Sequence, residues 1–342
     1  MMVAAAAMVV LFLIIAAVVL NVGWWLRDKR DAQNDVDAAV LAGAQELPDE
    51  VAAESDAEKW AADNGAGDDL ITPCEFVDMT GDGAADLIRC TVEREPGLLV
   101  GNLLDVGNVT VTAKAAAARM RAVAGCVAPW AVLGNPAQGP PGGTWGLTPD
   151  ELYIFHTKDF TTPGNFGALA LYGNGATDYK EAIEKPCGSG AGACDQTDPQ
   201  VPVGETLQCE AKTGNMGQNT DDALTNRYGT SLTCDATTYD DAVGLADTVA
   251  CQDRALLIPI IVAWPPKGNS GPVEILGLAT FYIASWDREA PYGNVDVNGD
   301  TVEDDAMVWG YFLQEGKVVE AWNIQWGYSD DPFAPITILL VE

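Results

Sequence analysis

The sequence predicts an α+β protein: a long N-terminal α-helix, then a small α+β unit, then a larger, mainly antiparallel β domain. Three observations carry that expectation. The first 47 residues contain no proline, and their apolar pattern suits a helix throughout. Runs rich in β-branched and aromatic residues recur through the second half, separated by Gly-, Pro- and Asn-rich connections. A chain of 342 residues, 48% of them hydrophobic, is long enough to bury a substantial core.

The leading segment, 1–47, joins two kinds of helix. The first 25 residues, MMVAAAAMVVLFLIIAAVVLNVGWW, carry no charge. As a helix, 1–47 is roughly 70 Å long at about 1.5 Å per residue, and its apolar half is long enough to span a bilayer. Val3, Val9, Leu11, Phe12, Leu13, Ile14, Ile15, Val18, Val19 and Leu20 form the surface that must be kept dry. Trp24 and Trp25 suit a membrane interface. The continuation, LRDKRDAQNDVDAAVLAGAQELP, is amphipathic. Val36, Val40, Gly43 and Leu47 recur at helical spacing, which puts them on one face, while Arg30, Asp31, Asn34, Asp35 and Asp37 are polar. That face is expected to pack on the chain's own globular part. Pro48 ends the run.

A cleaved secretory signal has a basic start and a short apolar core, whereas here Arg27, Lys29 and Arg30 follow the apolar run. The positive-inside rule would hold those cations in the cytoplasm, and the cysteine-rich remainder argues for the opposite side. Removal of a basic leader, with Met1 as a processed end, reconciles the two. An ordinary N-terminal membrane anchor is the alternative.

Residues 48–133 read as a small α+β unit. Ser55 and Glu58 form a capping-box pair for a short helix through Trp60 that stops near Asn64–Gly65. Strands follow at 74–77, 87–92 and 109–113, and an Ala-rich stretch runs on to Ala124. The loop-rich segment GNPAQGPPGGTWGLTPD opens a β-rich outer domain, 134–342. In it LYIF, ALLIPIIVAW, VEILGLATFYIASW, AMVWGYFL, KVVEAWNIQW and ITILLVE are expected strands, with PPKGNSGP and QEGK as hairpin turns.

Charge narrows the function classes. Lys and Arg total 18 against 50 Asp and Glu, a net charge of −32. Such a chain is repelled by phosphate backbones, so nucleic acid is excluded as a partner, and divalent cations are attracted instead. Cysteines 74, 90, 126, 187, 194, 209, 234 and 251 are even in number, and none sits in C-x-x-C. Disulfides in an oxidising compartment follow. Proximity favours Cys74 with Cys90, and Cys187 with Cys194 around the loop CGSGAGAC, while the pairing of Cys126, Cys209, Cys234 and Cys251 stays open.

Between Cys74 and Cys90, Asp78, Thr80, Asp82 and Asp86 take positions 1, 3, 5 and 9 of a calcium-loop pattern, with Gly83 at the sharp turn and Ala84 offering a carbonyl. Arg89 stands where an EF-hand has its bidentate Glu, so the loop resembles the Asp/Gly loops between strands of extracellular repeat proteins. A second copy reads Asp296, Asn298, Asp300 and Asp304, with Val302 at the carbonyl position and Thr301 replacing the Gly. Calcium is the expected ligand of both loops; a pair of solvated turns is the alternative.

Catalysis is not expected. GNSGP at 268–272 is a poor serine-nucleophile loop, and His156 is the one histidine available as its base. The pairs Asp221–Asp222, Asp240–Asp241 and Asp330–Asp331 suit hydrated surface. No phosphate-binding glycine loop and no H-E-x-x-H occurs. Asn108-Val109-Thr110 fits a glycan acceptor.

The string GWWLRDKRDAQNDVDAAVLAGAQELP, preceded by the uniform apolar run, resembles the N-terminal segment of TadE/TadG-like proteins of Flp (Tad) pilus systems. The stretches GNFGALALYGNGATDYKEAI, VPVGETLQCEAKTGNMGQNT and ALLIPIIVAW also look like the globular part of the longer TadG-like members. The resemblance implies a pilin-like, non-enzymatic protein, inserted in the inner membrane before assembly and then displayed outside the cell. Its implied partners are further copies of itself in a helical homopolymer and other pilus assembly components. The alternative is a membrane-anchored accessory or adhesin protein. Type IV pilins usually carry a Glu five residues into the mature helix; Ala5 stands here, so apolar packing must hold a filament core.

Overall fold

The computed structural model describes residues 2–66, 69–95, 110–140, 143–156, 166–185, 187, 193–194, 196–212, 216–229, 231–265, 270–286, 307–314 and 324–341. Two compact units result, Met1–Met120 with Ile338–Glu342, and Arg121–Thr337. The mixed α+β class expected from the sequence is what the chain adopts. Its division is different: the break falls inside a strand instead of at residue 134, and the amphipathic half of the leading helix belongs with the unit that follows it.

In the first unit, α1 runs Met2–Glu46 without interruption, and α2, Glu50–Asp63, turns back along it. The cap of α2 is Asp49, which accepts from the Val51 and Ala52 amides at 3.1 Å each, not the Ser55–Glu58 pair. A cap one residue after Pro48 lets α2 begin at once, and Ser55 and Glu58 fall within it. Its end is as expected: Asn64 caps it and Gly65 follows at φ +92°, in the left-handed region that favours glycine. Ala53, Ala57 and Ala61 form its buried face.

Gly43 permits the α1–α2 approach. A Cβ there would stand 2.7 Å from the Ala53 carbonyl oxygen and 2.7 Å from Ile88 Cδ1.

Strands β1 (Leu70–Val77), β2 (Leu87–Arg94) and β3 (Val111–Gly125) follow. They form an antiparallel ladder, with Leu87 opposite Ala118 and Arg94 opposite Val111. The Ala-rich stretch is therefore strand, although Ala is the strongest helix former. Val111, Thr112, Ala113 and Lys114 alternate buried and exposed, β2 supplies eight paired positions, and small side chains let the sheet lie close beneath α1. Ala113, Ala115 and Ala117 share one core with Val36, Val40 and Leu47. Val341 closes the first unit by donating its amide to the Ala116 carbonyl at 2.9 Å.

The second unit contains β4 (Trp130–Leu133), β5 (Tyr153–His156), β6 (Phe166–Ala168), β7 (Val201–Pro202), β8 (Thr206–Glu210), β9 (Ala255–Ile261), β10 (Ser270–Ser285), β11 (Met307–Leu313), β12 (Gln325–Gly327) and the start of β13 (Ile336–Leu340). The main sheet has the order β5-β11-β10-β9-β4-β6, and β8 lies along the first half of β10. Pairing is antiparallel except for β4 with β9. Every residue of β9 is buried, as its unbroken Leu-Leu-Ile-Pro-Ile-Ile run requires of a central strand. The β9–β10 hairpin is as expected; QEGK beyond Gln314 and most of KVVEAWNIQW lie outside the described residues.

Three helices were not expected: α3 (Ala176–Glu184), α4 (Gly217–Tyr228) and α5 (Tyr239–Ala246). They make the outer domain α+β as well.

Cys74 pairs with Cys90, joining β1 to β2. Cys187 does not pair with Cys194: Cys126 takes Cys187, and Cys194 takes Cys209. Each end of the Gly-rich loop is thus fastened to a different strand end, a tertiary arrangement that sequence proximity could not anticipate. Cys234 pairs with Cys251.

Candidate functional site

The surface of α1 changes character along its length. From Ala32 onward it is a core element: Ala32, Val36, Ala39, Val40, Ala44 and Leu47 are buried in the first unit's core. Polar contacts fix the same stretch. Arg94 of β2 reaches Asp35 of α1 (Nη2–Oδ2 2.9 Å) and Asp69 (Nε–Oδ2 2.7 Å) with two nitrogens of its guanidinium. Gln33 Nε2 donates to Asp37 Oδ1 at 2.7 Å and to the Lys114 carbonyl at 3.1 Å. Arg119 Nη1 donates to the Leu47 carbonyl.

N-terminal to Trp25 the opposite holds. Val9, Leu11, Phe12, Leu13, Ile14, Ile15, Val18, Val19 and Leu20 are each 47% to 65% exposed, on all sides of the helix; the Val3 side chain lies outside the described residues. Soluble monomers rarely expose contiguous apolar surface of this extent. The helix is long and apolar enough to cross a membrane, and none of its apolar window is buried within the chain. Either lipid or other protein must cover it.

The Asp78–Asp86 loop connects β1 to β2 and is folded on its own hydrogen bonds. Asp78 Oδ1 accepts from the Gly81 amide at 2.6 Å and Oδ2 from the Gly83 amide at 2.8 Å. These two backbone bonds hold the Asp78 carboxyl below its ordinary value. Asp82 Oδ1 accepts from the Ala84 amide (2.8 Å) and from Thr80 Oγ1 (3.2 Å). Asp86 Oδ2 takes the Met79 and Thr80 amides at 2.9 and 3.1 Å. Gly81 and Gly83, at φ +85° and +92°, make the turn sterically free. Among the described residues no three His, Cys, Asp or Glu side chains converge to hold a metal. The second loop, Asp296, Asn298, Asp300, Val302 and Asp304, lies outside the described residues.

Other nominated residues have structural roles. Asp331 is buried instead of hydrated. Its Oδ2 accepts from Trp145 Nε1 at 3.1 Å and its Oδ1 from the Phe333 amide at 3.0 Å, and it lies so close to Gly277 that a Cβ there would come within 2.0 Å of Oδ2. Burial pushes its carboxyl up to about 6. Asp241 completes the capping box of α5, accepting from the Thr237 and Thr238 amides while Thr238 is the N-cap. Ser270 and His156 are on β10 and β5, with β11 between them.

The Arg94 clamp was not anticipated from the sequence. Its signal was present as an Arg ending a strand in a chain with few cations, but nothing local indicates which of many carboxylates it meets.

Comparison with known families places this helix. Residues 1–46 match the family described as putative Flp pilus-assembly TadE/G-like, the family that the segment resembles by its motifs. The match coincides with α1 and ends at residue 46. No curated protein and no solved structure matches the chain.

Proposed function

We propose that the chain is a non-enzymatic structural subunit of an extracellular pilus-like filament, with the N-terminal halves of α1 bundled as its core and the disulfide-bonded units on its outside. The match of residues 1–46 to a pilus-assembly family supports a pilus-related role. The carrying observation is the split helix: one uninterrupted rod is fastened to its own domain from Ala32 onward and leaves its large apolar side chains exposed N-terminal to Trp25. Bundling identical rods hides the surface that lipid covers before assembly, so the subunit passes from one dry environment to another. Heterologous contacts that do not close on themselves propagate a fibre. Disulfides suit material that stays outside the reducing cytoplasm.

The test is negative-stain microscopy of sheared cell-surface material with a mass match to this chain. Filaments in which it is the dominant species are expected. Single molecules that remain in bilayer or detergent through α1 would overturn the reading in favour of a membrane-anchored accessory or adhesin protein, which would use the same helix only as an anchor.

Calcium at the Asp78–Asp86 loop is a subsidiary proposal. It is supported by the all-oxygen donor set, which suits a hard cation. Asp82 Oδ1 and Asp86 Oδ2 accept from loop amides, and the other oxygen of each carboxylate would serve as the ligand. Calcium added to chelated protein is expected to raise the melting temperature at millimolar levels or below, and Asp82→Ala to abolish that rise; an unchanged melting temperature on calcium addition ends the proposal.

A further inference from the structure

Between Met2 and Leu26 the sequence offers one side chain with both a hydrogen-bond donor and an acceptor, Asn21. Its Oδ1 is buried and has no hydrogen-bond partner, and Trp25 Nε1, one turn further along, is also buried without one. One is an acceptor, the other a donor. Both lie on the helix face that Ala17, Asn21, Trp25 and Asp28 share, which is half-buried and runs into the buried face at Ala32 and Val36. Because Asn21 as a residue is only half-buried, rotation of its carboxamide can present either end outward.

In a bilayer Asn21 sits beside Trp24 and Trp25 at the interface, where headgroups and water satisfy a carboxamide. In a bundle of α1 helices neither is at hand, and an unpaired polar group in dry surroundings is costly. Apolar neighbours cannot pair with it, whereas a second copy of α1 carries both a matching donor and a matching acceptor. We infer that Asn21 is the polar contact that fixes the axial register of α1 against the Asn21 of a second copy's α1, Trp25 being held against its own first unit. The inference rests on the filament reading and deepens it. Apart from Met8, Phe12 and Trp24 the exposed rod is aliphatic, and an apolar surface without polar landmarks tolerates a slip of one helical turn, about 5.4 Å. A single polar position inside an apolar helix interface penalises every stagger that leaves it unmatched, as a buried Asn does in coiled coils.

The test uses the full chain expressed in its own cells, as wild type, Asn21→Leu, Asn21→Gln and the neighbouring control Val22→Leu. Non-reducing blots of membranes check that each variant accumulates with its disulfides formed. Two quantities are read: the yield of sheared filaments, and the sharpness of the axial layer line in averaged images. Asn21→Leu is expected to cut filament yield about 3- to 20-fold, the range of one interhelical hydrogen bond, and to blur the layer line. Asn21→Gln restores both within about twofold on the same basis, and Val22→Leu leaves both unchanged. Asn21→Leu filaments of wild-type yield and equally sharp periodicity overturn the register role and leave the filament reading standing. Absence of wild-type filaments, with the chain intact in the membrane, overturns the filament reading itself.

Discussion

Gly43→Ala should weaken the first unit, although it replaces the poorer helix former by the best one. In an open helix interior the change stabilises by about 1 kcal/mol, since Gly gives up more backbone freedom on folding and Ala adds no side-chain cost. At Gly43 the new Cβ stands 2.7 Å from the Ala53 carbonyl oxygen and 2.7 Å from Ile88 Cδ1, several tenths of an ångström inside ordinary contact. Ile88 is fully buried, and Ala53 O is backbone within α2, so neither can step aside alone. The helices must part, at an overpacking cost of about 1–3 kcal/mol. The net expectation is a loss on the order of 1 kcal/mol, a fall in melting temperature of roughly 4 °C. Gly23→Ala is the internal control, because a Cβ there meets nothing within 4 Å and the residue lies in the open half of the same helix. Thermal unfolding of the full chain in detergent, followed by near-ultraviolet circular dichroism, compares the two. Gly43→Ala equal to or above wild type, or both variants lowered alike, would refute the close-approach reasoning.

Asp331 should give the second unit a pH dependence opposite to that of a paired carboxylate. Its folded pKa, about 6, exceeds the ordinary 3.8, so between those values the folded chain holds a proton the unfolded chain has released, and stability falls as pH rises from about 4 to 6 and levels above. Urea unfolding should be weaker at pH 7.5 than at pH 4.5 by roughly 2 kcal/mol from this group; Asp331→Asn should flatten that difference, and an unchanged slope in the variant would assign it elsewhere. Peptide mapping without reduction should recover Cys126 linked to Cys187 and Cys194 linked to Cys209, and a fragment closed between Cys187 and Cys194 would contradict the fold of that loop.

Periodic information in the sequence survived into the structure. The stripe Val36, Val40, Gly43 and Leu47 faces the core, the expected strands at 74–77 and 87–92 lie within β1 and β2, and ALLIPIIVAW and VEILGLATFYIASW contain β9 and most of β10. Where side-chain chemistry pointed one way and packing another, packing prevailed: the alanines of β3 have helical propensity but pair along β2, with Ala113, Ala115 and Ala117 in the core that α1 covers. The three helices of the outer domain were less legible for a different reason. They are short, from 8 to 12 residues, so each offers little more than two or three turns of pattern amid Gly and Asp. Yet α5 had a readable start, Thr238 with Asp241 three residues on, a capping box. In α3, Tyr179, Ala182 and Ile183 mark a buried face at helical spacing. Disulfide partners were beyond reach wherever the chain between them had to fold first, as the 61 residues separating Cys126 from Cys187 illustrate.

The candidate site was legible because its signal is uniformity, which no tertiary contact can disguise. Twenty-five residues without charge must be covered by something apolar whatever the rest of the chain does. What the structure adds is where that requirement stops. Trp25 packs against the core of the first unit, and Ala32 is the first residue of α1 fully enclosed in it. From there on the helix favours small side chains, Ala39, Ala42, Gly43 and Ala44, that let α2 and the sheet come close, whereas above Trp25 it favours Leu, Ile, Val and Phe, which maximise apolar area on every side. A simple anchor needs only the second property, and its junction to a soluble domain can be a flexible linker. Here the helix is continuous and clamped by Arg94, so the direction of the open rod is fixed relative to the first unit. A rod of fixed direction is what repeated, identical packing between subunits requires, and this is the physical reason for preferring a polymer of the chain over a tether for it.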